Sequence, residues 1–183
     1  MSIDERIDHR LAALHGNALL DPLMYAASWF GDDGRGWIAA AALRSRRSPQ
    51  PLVAFGRQMA WLGIESVVVN GPAKGLTRRP RPVSARVHHR RVRRPSNSSF
   101  PSGHAASAAT MATLLSEDGL APLWWTIALT VSASRMYLGM HHTSDVMAGL
   151  AIGTLIGLAA RGIDLPGLAR SQTPVIGGPD VVS

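Results

Sequence analysis

The long apolar stretch from Pro51 to about Ala73 is the feature that most limits what this chain can fold into. A helix crossing a bilayer core needs ~20 predominantly apolar residues. This stretch has the length, and its polar interruptions are Arg57, Gln58, Glu65 and Asn70. A charge at the bilayer centre costs ~2.5–3.5 kcal/mol on insertion scales, so Glu65 is expected to face a bundle interior and to have a partner there. Averages hide the pattern, because a mean hydropathy of +0.07 would suit a soluble domain as well. It is the clustering of the apolar residues, with only 17% charged, that favours a compact helical membrane protein.

Other apolar runs flank this one. Residues 1 to about 15 read as an amphipathic helix, with Ile3, Ile7, Leu11 and Leu14 at helical spacing against Asp4, Glu5, Asp8 and Arg10. Such a helix either lies on a membrane surface or packs on the loops of its own bundle. Ala18 to Phe30 is the first run, closed by the interfacial pair Trp29-Phe30 before Gly31-Asp-Asp-Gly34 turns the chain. Trp37 to Leu43 is the second; it is short and must borrow flanking residues or thin the bilayer to cross. Pro101 is expected to open a fourth helix, whose Ala105, Ala109 and Ala112 permit close helix approach. A fifth runs from about Leu123 to Leu138. The sixth, Asp145 to Ala160, has Gly149, Gly153 and Gly157 four apart, a small-residue packing seam. The expected fold is all-α: an integral membrane six-helix bundle with an amphipathic N-terminal helix. The boundaries are an interfacial helix at 1–17, a six-span domain at 18–162 and a Pro/Gly-rich mobile tail at 163–183. The first fifteen residues carry mixed charge and lack a signal-peptide pattern, so insertion is expected to rest on the internal segments.

A pI near 11.3 and a net charge of +7 raise nucleic acid as a partner. The basic residues argue otherwise: 18 of 19 are arginine, and eight fall between Arg78 and Arg94, without the aromatic interleaving of a single-strand platform. That loop reads as a solvated connection or as a collar for anionic lipid headgroups. The absence of cysteine excludes disulfides and thiolate metal sites. The histidines lack the ligand spacing of a zinc site, so no metal and no other cofactor is expected.

Candidate chemistry concentrates in Ser134-Arg-Met-Tyr-Leu-Gly-Met-His141-His-Thr-Ser-Asp145. A carboxylate four residues after an imidazole can orient it and stabilise its positive form, as an activated histidine nucleophile or base requires. Arg135, six residues before His141, offers a planar fork of donors suited to phosphate oxygens. Upstream lie Pro101-Ser102-Gly103-His104, and Lys74 followed by six residues and then Arg81-Pro82. In order and spacing these three pieces resemble the signature of the type-2 phosphatidic acid phosphatase superfamily. The resemblance implies phosphoester cleavage in which His141 attacks phosphorus, Asp145 orients it and His104 protonates the leaving oxygen. Lys74, Arg81, Ser102, Gly103 and Arg135 would bind the phosphate. His142, also close to Asp145, is the rival nucleophile, and the family spacing selects His141. His9, His15, His88 and His89 fall outside the motifs.

The same resemblance implies an integral, multi-pass bacterial membrane enzyme acting on a lipid phosphate through a phosphohistidine. Its partners would be that substrate and membrane lipids, with a homo-oligomer left open. Relatives with this signature also include soluble acid phosphatases, haloperoxidases and phosphotransferases. The candidate substrates are polyprenylphosphoryl-5-phosphoribose of cell-wall arabinan synthesis, polyprenyl diphosphate, phosphatidic acid and phosphatidylglycerophosphate. Arginine in place of lysine suits a high-GC, actinobacterial source, which favours the first.

Parity supplies a geometric expectation. With six spans, Lys74, Arg81, His104, Arg135, His141 and Asp145 all fall on one face, and residues 1–17 fall on the other. Eight arginines, apart from Arg81 and Arg135, are then expected on each face, which leaves the orientation undetermined.

Overall fold

The computed structural model describes residues 2–82 and 98–163. The tail beyond Ile163 and the body of the arginine-rich connection, with its collar and with His88 and His89, lie outside the described residues.

The described chain is all-helical. Helix α1 (Ile3–Ala12) opens with a capping box: the Ser2 hydroxyl accepts from the Glu5 N–H at 3.2 Å, and the Glu5 carboxylate accepts from the Ser2 N–H at 2.7 Å. There follow α2 (Leu20–Gly31), a short 3-10 turn (Asp32–Gly34), α3 (Arg35–Ser45) and α4 (Pro51–Val68). A π turn (Val69–Ala73) carries α4 into α5 (Lys74–Thr77). Pro72 sits inside that turn and has no N–H to continue the regular ladder, so the helix widens just before Lys74. After the loop come α6 (Gly103–Leu115), α7 (Ala121–Tyr137) and α8 (Thr143–Gly162). Pro101 precedes α6, following a cis Phe100–Pro101 peptide, and Ser102 is the N-cap, its hydroxyl accepting from the Ala105 N–H at 3.4 Å. Pro51–Thr77 and Thr143–Gly162 are long and apolar enough to cross a membrane, with mean hydropathies of 1.3 and 1.5.

Helices α6 and α8 form the centre, and the glycine seam explains how closely they meet. A Cβ on Gly153 would overlap the Ala106 backbone, one on Gly149 the Ser102 carbonyl, and one on Gly157 the Thr113 side chain. The approach also lets Thr110 donate to the Gly153 carbonyl at 3.0 Å. Trp37, Trp61, Met111, Leu115, Trp124 and Val131 fill the space between these helices and α3, α4 and α7. Glu65 is fully buried and accepts from the Ser107 hydroxyl at 2.7 Å, so its partner is a neutral side chain on α6. At the end far from the motifs, Arg57 reaches Glu117 at 3.2 Å and donates to the Ala160 carbonyl, while Arg161 donates to the Thr113 carbonyl. These guanidiniums sit at the carbonyl ends of α8 and α6, where a positive charge complements the helix dipole.

The N-terminal part corrects the parity expectation. Helix α1 lies on the same end as the motifs: Asp4 accepts from the Ser144 N–H at 3.0 Å, and Asp8 pairs with His142 at 3.0 Å. Helix α2 begins there too, where Asp21 accepts from the Tyr137 hydroxyl at 2.5 Å. Its other end meets His104, which contacts Asp32 at 2.8 Å. Because both ends of α2 abut residues of the motif end, this run does not carry the chain to the far face. Helices α3, α4, α6, α7 and α8 run between the two ends, and residues 1–17 belong with the site. The even division of arginines therefore fails, since Arg6 and Arg10 move to the site face.

Candidate active site

His141 stands in the turn between α7 and α8, and the turn is built from backbone. Gly139 adopts φ 61°, the left-handed conformation that lets a helix end abruptly. The Arg135 carbonyl then accepts from the N–H groups of Met140 and His141 at 2.9 and 3.2 Å. The imidazole is almost fully buried. Its Nδ1 lies 2.6 Å from the Ser99 carbonyl, a contact that requires Nδ1 to carry the proton. Nε2 is thereby left with its lone pair. Burial pushes the His141 imidazole down to about 4, and the Arg135 and Arg81 charges add to that effect against the raising influence of Asp145 and Ser99.

Asp145 is placed differently from the simplest reading of its spacing. Its Oδ2 is 3.8 Å from His141 Nδ1, outside hydrogen-bond range, and accepts from the His142 N–H at 2.9 Å. It is thus the capping carboxylate of α8 as well as a negative charge beside the imidazole. Its Oδ1 accepts from Arg79 at 2.6 Å. The Asp145 carbonyl accepts from the Ser102 N–H at 3.0 Å, which ties the Pro101–His104 turn to the start of α8.

The three cations approach from separate elements. Arg81 Nη1 donates to the Met140 carbonyl at 2.9 Å and lies 3.2 Å from His141 Nε2. Lys74 Nζ donates to Asn70 at 2.7 Å. A Cβ added to Gly103 would stand 3.4 Å from that Asn70 oxygen and 3.6 Å from Nζ, ordinary van der Waals distances, so Gly103 borders the Lys74 corner. Arg135, 2% exposed, donates to the Ser28 hydroxyl and lies 4.0 Å from Asp32. Ser102 is fully buried. All eight residues singled out from sequence therefore gather at one end of the bundle. His142 does not join them: its Nδ1 faces Asp8 on α1.

Five contributors were not singled out. Ser99 fixes the His141 tautomer, Ser28 and Asp32 hold Arg135 and His104, and Arg79 with Asp4 brackets Asp145. Arg79 donates to Asp4 at 2.8 Å, and Ser144 donates to Asp4 through both its N–H and its hydroxyl. Asp32 was hidden in a Gly-Asp-Asp-Gly turn whose composition already explained it, and Arg79 in a run of arginines.

The model of the PAP2 superfamily matches residues 57–164. The chain belongs to the PAP2 superfamily. As a PAP2 enzyme it is a phosphoric ester hydrolase. It is 34% identical over 135 residues to a decaprenylphosphoryl-5-phosphoribose phosphatase of Mycobacterium tuberculosis, covering 71% of this chain and 72% of that protein. A protein of the same name from Mycolicibacterium smegmatis is 32% identical over 129 residues, covering 68% of each chain. Phosphatidylglycerophosphatase B of Bacillus subtilis is 28% identical over 130 residues, covering 60% of this chain and 62% of the other. Among solved structures, a transmembrane PAP2 type phosphatidylglycerolphosphate phosphatase from Bacillus subtilis superposes with a TM-score of 0.53. It covers 87% of this chain and 92% of that one at 23% identity, a likeness of fold.

Proposed function

We propose that this PAP2 phosphatase removes phosphate from a polyprenyl-linked substrate in a membrane, with polyprenylphosphoryl-5-phosphoribose as the leading candidate. The observation that carries the chemistry is the His141 geometry: Nδ1–H committed to the Ser99 carbonyl, and Nε2 free of its own proton beside Arg81. The substrate class rests on the names of the mycobacterial relatives. A bilayer setting is supported by the outward side chains of the two long apolar helices, including Leu52, Val67, Met147, Leu155 and Leu158, all exposed.

In the proposed reaction the Nε2 lone pair forms a bond to phosphorus while the bond from phosphorus to the substrate's ester oxygen breaks. That oxygen takes a proton from His104. Lys74, Arg81 and Arg135 hold the non-bridging oxygens, whose charge must be stabilised throughout. Arg81 can turn from Nε2 to a phosphoryl oxygen once substrate is present. Ser102, although its oxygen caps α6, still has its O–H to donate. Asp145 offsets the positive charge that His141 acquires on attack. Water, giving its proton to His104, then cleaves the N–P bond, which releases orthophosphate and restores both imidazoles. Because side chains supply the positive charge, turnover is expected to continue in EDTA.

The test is phosphate release by detergent-purified protein from polyprenylphosphoryl ribose 5-phosphate and from polyprenyl diphosphate. A preference of about 100-fold in kcat/KM for the phosphoribose, ~2.7 kcal/mol of transition-state discrimination, is expected. The opposite preference would assign the enzyme to carrier-lipid recycling, and equal rates to a broad lipid phosphatase. An acid-labile, base-stable phosphoryl label on wild type, absent from His141→Ala, would establish the intermediate.

A further inference from the structure

The end of α2 carries a group that the reaction as described does not use. Asp32 Oδ1 lies 2.8 Å from His104 Nε2, and the same oxygen is 4.0 Å from Arg135 Nη1. The backbone beside Asp32 is itself packed against the same imidazole. Gly31, immediately before Asp32, packs so closely on His104 that a Cβ there would stand 2.8 Å from the ring's Cδ2 and 2.9 Å from Val131. One turn earlier, Ser28 accepts from Arg135 and is itself buried. Helix α2, which does not cross to the far face, is thus braced against two members of the site at once.

We propose that Asp32 is a positioning residue for His104, accepting its Nε2–H so that Nδ1 is the ring nitrogen turned to the leaving oxygen. The inference rests on the reading of His104 as proton donor and adds to it which nitrogen serves and what holds it. An imidazole has two ring nitrogens; a carboxylate that accepts from one fixes the tautomer and orientation of the other. When the ring is protonated to act as acid, the carboxylate also stabilises its positive charge. The other charges facing His104 are Arg135 from α7 and Lys74 from α5, both of which oppose that charge. Asp32, in contact with Nε2 at 2.8 Å, is the carboxylate that offsets those two cations at His104. Its neighbour Asp33 is a natural control, since its exposed carboxylate pairs with Arg35 instead.

The experiment compares Asp32→Asn, Asp33→Asn, His104→Ala and the double variant Asp32→Asn/His104→Ala. Two substrates are used: an alkyl lipid phosphate and a nitrophenyl phosphate whose leaving group needs no proton. His104→Ala should lose ~10²–10⁴-fold in kcat/KM, which reports the step in which the leaving oxygen departs, on the alkyl substrate and far less on the activated one. Asp32→Asn should show the same selectivity in kcat/KM at about 10- to 100-fold, and the alkaline limb of its kcat/KM profile should move to lower pH. Asp33→Asn should match wild type, and the double variant should be no worse than His104→Ala. A further loss in the double variant equal to that of Asp32→Asn alone would overturn the proposal, by showing that Asp32 acts on Arg135 or on folding. A loss in Asp32→Asn that is equal on both substrates would overturn it as well. Equal sensitivity of both substrates to His104→Ala would instead remove the proton-donor reading, and the assignment of Asp32 with it. Circular dichroism and size exclusion of each variant identify any that fail to fold, and Asp32→Glu, keeping the charge, should recover part of the activity.

Discussion

His141 and His142 are adjacent, and their surroundings separate them. The first is nearly inaccessible to solvent, with Nδ1 on the Ser99 carbonyl; the second faces Asp8 on α1. His141→Ala is expected to lower turnover at least about 10³-fold, while His142→Ala keeps most of it. The reverse pattern in a phosphate-release assay would transfer the nucleophile to His142. Burial also links His141 to stability. Its folded value of about 4 lies below the ordinary 6.5, so between those limits the unfolded chain binds the extra proton and the folded chain does not. The resulting stability is fully present above pH 6.5 and is lost as pH falls towards 4. The melting temperature in detergent should decline across that window, and His141→Gln should flatten part of the decline. An unchanged slope in that variant would mean another group is responsible. The spacing of His141 and Asp145 was legible in the sequence. The Ser99 carbonyl was not, because a backbone acceptor leaves no residue-type signature and comes from the far side of the long loop.

At the scale of elements, the α6–α8 contact and the α1 strap make different demands. Gly153 has no room for a Cβ, since the Ala106 backbone occupies its place, whereas Gly162 has nothing within 4 Å. Gly153→Val should cost about 1–3 kcal/mol or more and lower the yield of folded enzyme, and Gly162→Ala should be tolerated. Thermal unfolding in detergent measures both. The cost would reach the site, because Ser102 and Asp145 ride on these two helices. Helix α1 acts through charge. Asp4 shares Arg79 with Asp145 and binds Ser144, so Asp4→Asn leaves Arg79 with one carboxylate in place of two. A loss of roughly 3- to 30-fold in kcat/KM, with little change in melting temperature, is expected. The glycine seam was readable from its period of four. The docking of α1 was not: an amphipathic pattern states that one face is apolar and leaves open whether that face meets lipid or protein.

For the molecule as a whole, the chain's lack of cysteine makes its topology directly testable. Ser2→Cys and Ser98→Cys should be labelled from the same side of a sealed membrane, and Gln50→Cys, in the turn between α3 and α4, from the other. Labelling of Ser2→Cys from the same side as Gln50→Cys would restore α2 as a crossing helix. The sequence by itself determined the helical class, the apolar lengths, the candidate reacting groups and their separation along the chain. These follow from periodicity and from the fixed donors and acceptors of each side chain. Only the tertiary structure decided that α2 stays at the motif end, that α1 sits beside the candidate site, and that Asp32, Ser99 and Arg79 contact its residues. Each of these depends on which surfaces meet across long chain separations, and no local pattern of residue types encodes that choice.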